Sequence, residues 1–328
     1  GAMGQISTLL KAVIATSLTM QALLAVMFLP RFLTMGIDPA HAVWDAVFMA
    51  ISVFNNAGFV ILPGGLEPHV TDWWMLVPII LGTTVGAIGF PVIMDVAKNL
   101  RAPRRWRLHT KLTLSTYLIL AFIGALALAL TEWHNPATLG SVDTPSKILN
   151  AMLAGVNSRS SGLSALNVGA MHSQTHFVQD ILMMIGGGSA STAGGVKGTT
   201  FAVLVLAVIA EARGDRDIET FGRRIPTSTV RLAVAVSLLG LAMVAISVVL
   251  LLTMTDHSLD IILFETVSAF ATVGLSTGVT PNLPVAAKYV LIALMFAGRT
   301  GSMTVAAALA LRERSRVIRM PEEQPIIG

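Results

Sequence analysis

The stretch Trp44-Asp45-Ala46-Val47-Phe48-Met49-Ala50-Ile51-Ser52-Val53-Phe54, continued by Asn55-Asn56-Ala57-Gly58-Phe59, decides how this chain folds. Its first part is apolar and of helical character, yet falls well short of the ~20 residues a helix needs to cross about 30 Å of hydrocarbon. It nevertheless lies between two runs that are long enough, Leu9–Leu33 and Met75–Ala97. A short apolar helix between two spans, ending in small residues around one glycine, reads as a half-helix that enters the membrane and turns back.

The same order recurs twice. Leu112–Leu130 and Phe177–Ala212 flank Lys147–Asn157, which leads into Arg159-Ser160-Ser161-Gly162-Leu163. Leu232–Met254 and Val285–Leu311 flank Leu259–Phe270, which leads into Ala271-Thr272-Val273-Gly274-Leu275. The central glycines fall at 58, 162 and 274, so the intervals are 104 and 112 residues. A period that long marks a module, not a solenoid repeat. The order and spacing of the pieces carry this repeat, since the residue-by-residue match is weak. The expected modules are 5–100, 101–213 and 214–320, with a tail at 321–328 and an opening Gly1-Ala2-Met3-Gly4 that looks like the scar of a removed tag.

Composition agrees with six spans. Of 328 residues, 54% are hydrophobic and 12% charged, with mean hydropathy +0.75, whereas a soluble domain carries about 25% charged residues. An all-α membrane protein follows. The lack of cysteine excludes a disulfide framework or thiolate metal site. Basic residues concentrate in three places: Lys98, Arg101, Arg104, Arg105, Arg107 and Lys111; Arg213, Arg216, Arg223, Arg224 and Arg231; and Arg312, Arg314, Arg316 and Arg319. The alternate connections hold Glu67, Asp72, Glu132, Asp143, Asp256 and Asp260. Basic short loops stay cytoplasmic, so both chain ends are expected inside. Nucleic-acid binding does not explain the basic stretches, which alternate with spans and have little aromatic interleaving.

Three re-entrant hairpins make physical sense as a pore. Irregular backbone at membrane depth is tolerated where it lines water or is buried in protein, and carbonyls turned toward an axis can replace the water shell of an ion. Glycine lets the backbone adopt angles closed to other residues, and a short helix pointing its C-terminus inward adds partial negative charge. The expected filter is Asn56, Ala57 and Gly58; Ser160, Ser161 and Gly162; and Thr272, Val273 and Gly274. No acidic side chain stands among them, which suits carbonyl coordination of a monovalent cation better than calcium or magnesium.

Two features depart from the repeat. Phe177–Ala212 would extend about 54 Å as one helix, and its middle holds Gly186, Gly187, Gly188, Ser189, Ser191, Thr192, Gly194, Gly195 and Lys197 within the segment 186–199. So many glycines will not hold a regular helix, and the expectation is a broken span with an intramembrane loop acting as a gate. A Walker phosphate loop is excluded because Val196 and Gly198 flank Lys197 where that pattern needs Gly-Lys-Ser/Thr. The second feature is Arg299, about mid-span in the last run, where an unpaired arginine costs at least ~2.5 kcal/mol. Arg299 is expected to line the pore near the gate, or else to pair with Asp180 or Glu265 within the bundle.

The Asn-Asn-Ala-Gly-Phe segment, the loop ending Thr-Ala-Gly-Gly-Val-Lys-Gly-Thr-Thr, the Gly-Arg-Thr-Gly-Ser run and the ending Pro-Glu-Glu-Gln-Pro-Ile-Ile-Gly together resemble the Trk/Ktr/HKT superfamily of potassium transporters, and within it the KtrB-type pore-forming subunit. The resemblance covers residues 5–328. It implies four span–pore-helix–span modules around one pseudo-fourfold potassium pore, a homodimer, and a cytoplasmic ring of RCK-type nucleotide-binding subunits that regulates opening. It implies no organic cofactor on this chain, and makes Gly58, Gly162 and Gly274 the filter glycines, 186–199 the gate and Arg299 the pore arginine. The three modules resemble the family's second, third and fourth, so the first is expected upstream. A secondary cation carrier with broken helices is the alternative; it predicts inverted repeats and a mid-span acid pair, and the modules here run in one direction. An intramembrane hydrolase using Ser189 or Ser191 with Lys197 is a third reading.

Overall fold

The computed structural model describes residues 2–188, 191, 194–301, 304, 307, 308 and 311. It is helical apart from one small hairpin. Among the described residues, three helices are long and apolar enough to cross a membrane without interruption: α1 (Ala2–Leu33), α5 (Leu108–Glu132) and α9 (Thr227–Met254). Each is followed by a shorter helix that cannot span: α2 (Pro39–Phe54), α6 (Thr144–Asn157) and α10 (Leu259–Phe270). The sequence places a start signal before each. Asp38 caps α2 through its side chain and Pro39 opens it; Asp143 and Pro145 stand at the head of α6; Ser258 precedes α10.

The helix that completes each repeat is broken in all three. Met75–Ala97, expected as one span, is instead α3 (Trp73–Ile88) and α4 (Phe90–Lys98), bent by 96°. The cause is Gly89, at φ 97° and ψ 151°, with Pro91 just beyond it. Glycine alone enters that backbone region freely, and proline cannot continue the preceding hydrogen bonds. Phe177–Ala212 is broken as expected, into α7 (Ser173–Met184) and α8 (Gly198–Arg213), although Gly198 and Thr199 belong to the first turn of α8 and not to the loop. Val285–Leu311 is likewise not one regular span. Its first part, α11 (Val285–Phe296), gives way to a π-helical turn at Ala297–Gly301. Insertions of this kind widen the helix locally and recur at functional sites.

Packing joins the repeats in sequence. Within each, the long helix lies on the short one, as α1 on α2, α5 on α6 and α9 on α10. Between them, α3 packs on α6, and α7 packs on α10. The helix that closes one repeat therefore leans on the short helix of the next. One apolar core gathers Phe28, Phe32, Met49, Phe54 and Ile79 in the first repeat with Leu149 and Leu153 of α6. A second gathers Leu128, Met183, Phe264, Phe270 and Leu291. The hairpin β1 (Ile218–Thr220) and β2 (Arg223–Ile225) joins α8 to α9, and Ile225 seals the end of a small cluster with Val203 and Ala233.

The connection after each short helix is held by one carboxylate. Glu132, fully buried, accepts from Asn135 Nδ2 at 2.6 Å, Thr138 Oγ1 at 2.7 Å, the His172 backbone N–H at 2.8 Å and Thr175 Oγ1. Glu265 accepts from Ser276, from the Thr277 backbone and hydroxyl at 2.7 and 2.8 Å, and from Thr280. Asp72 accepts from Arg31 Nε at 2.7 Å and from the Met75 N–H at the start of α3. A buried carboxylate surrounded by donors is stable as a charge and fixes the loops that supply them. Glu265, one of the two partners expected for Arg299, is thus committed to its own loop.

Candidate site where three glycine segments meet

Each short helix ends on a residue whose N–H still bonds into the last turn: Asn55 to Ile51 O, Ser158 to Ala154 O, and Ala271 to Val267 O. The chain then wraps tightly in the same manner three times. Ala57 N–H bonds Ser52 O at 2.9 Å, Gly162 N–H bonds Asn157 O at 3.2 Å, and Val273 N–H bonds Ser268 O at 3.0 Å. The side chains of those same acceptors reach onward. Ser52 Oγ donates to Phe59 O at 2.7 Å, Asn157 Oδ1 accepts from Leu163 N–H at 3.3 Å, and Ser268 Oγ accepts from Gly274 N–H at 3.1 Å. A polar residue six or seven positions before the residue it bonds therefore pins each segment to its own helix.

The backbone of these segments is unusual. Each holds two left-handed residues: Asn56 and Gly58 (φ 52° and 74°), Ser161 and Gly162 (73° and 63°), and Thr272 and Gly274 (53° and 95°). Only one other non-glycine residue among the described residues has positive φ, Phe221 in the hairpin. Left-handed angles cost a residue with a Cβ about 1 kcal/mol or more, and here they are gathered at one place. The second segment also differs in register. Gly58 and Gly274 lie three residues beyond the helix-ending Asn55 and Ala271, while Gly162 lies four beyond Ser158. The extra residue makes room for Arg159 to turn away from the segment.

The three segments touch. A Cβ added to Gly58 would fall on the carbonyl oxygen of Ser161, and one added to Gly162 would fall on the carbonyl oxygen of Val273. These glycines are needed because neighbouring backbones leave no volume for a side chain. Ser160 and Ser161 are almost fully buried, and their hydroxyls have no hydrogen-bond partner among the described residues.

The glycine-rich loop lies against this junction. Its neck is stapled: Gly186 N–H bonds Val196 O at 2.6 Å, and Gly198 N–H bonds Gly187 O at 3.0 Å. On one side Gly188 N–H bonds Ala87 O at 2.7 Å, beside the bend between α3 and α4. On the other, Gly194 stands against Thr272 Oγ1 and Ala271 O, and Gly195 against Ala271. The loop thus reaches from the first repeat to the third. Ser191 caps it internally, donating to Gly188 O at 2.6 Å. Two expected gate residues, Ser189 and Thr192, lie outside the described residues, as does the tail 321–328. Lys197 ends the loop half-buried, and Arg299 is exposed on the π turn, within electrostatic reach of Lys197.

One residue escaped the sequence reading. Arg159 is 1% exposed, and its guanidinium donates to three carbonyls: Ile185 at 3.1 Å, Tyr117 at 3.1 Å and Gly186 at 2.7 Å. An arginine among serines at a buried helix end carries the same kind of cost as Arg299, a signal the sequence does hold. It went unused because Arg159 sits in a short polar segment that looks like an exposed turn.

Comparison with known proteins follows from this geometry. The model of the family TrkH, described as cation transport protein, matches residues 2–318. The chain is 36% identical to the Ktr system potassium uptake protein B of Bacillus subtilis, over 100% of this chain and 72% of that protein. It is 34% identical to the protein of the same name from Vibrio alginolyticus, over 86% of this chain and 62% of that one. Against the potassium/sodium uptake protein NtpJ of Enterococcus hirae the identity is 32%, over 93% and 67%. The chain therefore spans between 62% and 72% of the length of these relatives. The crystal structure of the potassium transporter TrkH from Vibrio parahaemolyticus superimposes with a TM-score of 0.72 over 94% of this chain and 65% of that one, at 18% identity, a likeness of fold.

Proposed function

The chain belongs to the TrkH family of cation transport proteins, and from that premise we propose that it carries potassium ions across the cytoplasmic membrane through a filter of backbone carbonyls, gated by the glycine-rich loop. The three modules contribute three quadrants of a pseudo-fourfold pore, with both chain ends cytoplasmic. The filter is Asn56-Ala57-Gly58, Ser160-Ser161-Gly162 and Thr272-Val273-Gly274. The observation that carries this reading is the contact of the three segments with one another, each bearing two left-handed residues. A bare monovalent cation gives up its hydration only where several oxygens converge to replace it, and the C-termini of α2, α6 and α10 add favourable dipole ends there.

The loop supports a gating role by its place. It reaches from Ala87 to Thr272 across the second repeat, so a cation leaving the filter meets it. Glycines give it the freedom to move, and the two like charges of Lys197 and Arg299 add an electrostatic barrier to a passing cation. Regulation comes from a cytoplasmic nucleotide-binding ring of RCK type acting on a homodimer, which draws the loop aside.

Rubidium uptake in cells lacking their own potassium uptake tests the proposal. Removing residues 189–193 from the loop, or changing Arg299→Ala, is expected to raise uptake in the absence of the ring. Uptake equal to or below the parent in both variants would overturn the gate.

A further inference from the structure

Arg159 carries more than a structural role. Each of its three nitrogens donates to a main-chain carbonyl, its plane lies over the Tyr117 ring at 4.5 Å, and no carboxylate among the described residues is within ion-pair distance. Two of the carbonyls, Ile185 and Gly186, are where α7 ends inside the protein. A helix that stops there leaves carbonyls with no partner in their own chain and a partial negative charge. A guanidinium meets both needs, and its rigid fork can bond two adjacent carbonyls at once, which a lysine ammonium does not do with fixed geometry. The second limb of the loop comes as close: a Cβ on Gly198 would stand 3.2 Å from Nη2 of Arg159.

The other end of this side chain is the filter. Arg159 lies two residues before the left-handed Ser161, at the point where the second segment holds its extra residue. The extra residue and the buried arginine thus belong together: one lengthens the segment so that the other can reach back to the break in the span.

We propose that Arg159 is a positioning residue that couples the intramembrane loop to the second filter segment. It holds the first limb, Ile185–Gly186, at the root of the loop. In the same way it ties any shift of that root to Ser160, Ser161 and Gly162. This rests on the filter and gate reading above and adds to it a mechanical link between the two.

The test is Arg159→Lys in the full chain, assembled with its ring. The variant keeps the charge and loses the fork. Per folded protein, we expect potassium-over-sodium discrimination to fall about tenfold, the scale of one lost charge-assisted hydrogen bond, and ring-free rubidium leak to rise together with it. A residue that only supports folding would lower the amount of protein and leave both ratios per protein unchanged. Should Arg159→Lys fail to accumulate, Tyr117→Leu decides the matter: it leaves the three carbonyls and removes the ring under the guanidinium, and should shift both ratios in the same direction by about threefold. Unchanged ratios in the variant that folds overturn the link. The loop-shortened chain with Arg159 intact separates the two readings. If shortening alone leaves ring-free flux unchanged, the gate reading fails. If shortening raises flux while Arg159→Lys moves neither ratio, the link alone fails.

Discussion

In the first and third repeats a glycine on the closing helix lies against the carbonyl that ends the short helix, Gly86 on Phe54 O and Gly298 on Phe270 O. In the second repeat the closing helix stops at that level, and the guanidinium of Arg159 takes up its last carbonyls instead. The two arrangements solve one problem with opposite means. Where the closing helix is still turning at that level, in α3 at Gly86 and in the π turn at Gly298, only close approach is needed, so the smallest residue is best. Where it breaks, carbonyls are left over in a place without bulk water, and a donor must be brought to them. A loop can thus interrupt the closing helix of one repeat without unravelling the junction shared by all three.

The comparison can be broken most directly at the glycine contacts. Gly298→Val and Gly86→Val drive bulk into a backbone carbonyl that cannot swing aside, and each should cost about 3 kcal/mol, the upper range for an overpacked core. Gly301→Val is the control, because a Cβ there meets nothing nearer than Ala297 Cβ at 4.0 Å. Thermal midpoints in detergent would show it, and equal losses at 298 and 301 would mean that close approach is not what holds the first and third repeats.

A second, smaller effect separates the glycines of the second and third segments. Gly162→Ser and Gly274→Ser both place a side chain on left-handed backbone, at a cost of about 1 kcal/mol. At Gly162 the added atom also falls on Val273 and Leu275, whereas at Gly274 the nearest atom is Ser161 O at 3.9 Å. Gly274→Ser should therefore fold and reveal weakened discrimination against sodium in competition uptake, while Gly162→Ser loses about 1–2 kcal/mol more by the overpacking rule. Equal stability of the two would sink the unequal packing described here.

Glu265→Gln sharpens the comparison outside the junction. An amide in place of a carboxylate turns an NH2 donor toward hydroxyls and an N–H that are already donating, for a loss of about 2 kcal/mol. The measurement is faster hydrogen exchange over 275–282, with the loop held by Glu132 unaffected. Last and smallest, Ser268→Ala removes one hydroxyl contact to Gly274 N–H and should cost about 1 kcal/mol. Asn157→Ala should cost more in the same assay, since Asn157 bonds both Leu163 N–H and Leu153 O.

Much of this was legible in the chain because it is local. The short helices follow from apolar stretches of limited length behind Asp38-Pro39, Asp143 and Ser258, and α10 begins and ends where the pattern places it, at Leu259 and Phe270. The break after Met184 follows from a run of glycines. The bend at Gly89 was missed, since an apolar run is continuous in hydropathy whatever the backbone does, and a single Gly-Phe-Pro sequence was outweighed by length. The π turn at 297–301 was missed for a similar reason: Gly298 and Gly301 read equally well as packing surface.

Arg159 marks the boundary between the two kinds of knowledge. Sequence by itself determined that this is a helical membrane protein with three short helices, each leading into a glycine segment, and a break after Met184, because length, hydropathy and backbone freedom are properties of neighbouring residues. Tertiary structure decided which charge meets which carbonyl. The contacts from residue 159 to 117 and to 185 and 186 cross 42, 26 and 27 positions of chain, and only the packing of α5, α6 and α7 brings those backbone atoms within reach of one side chain.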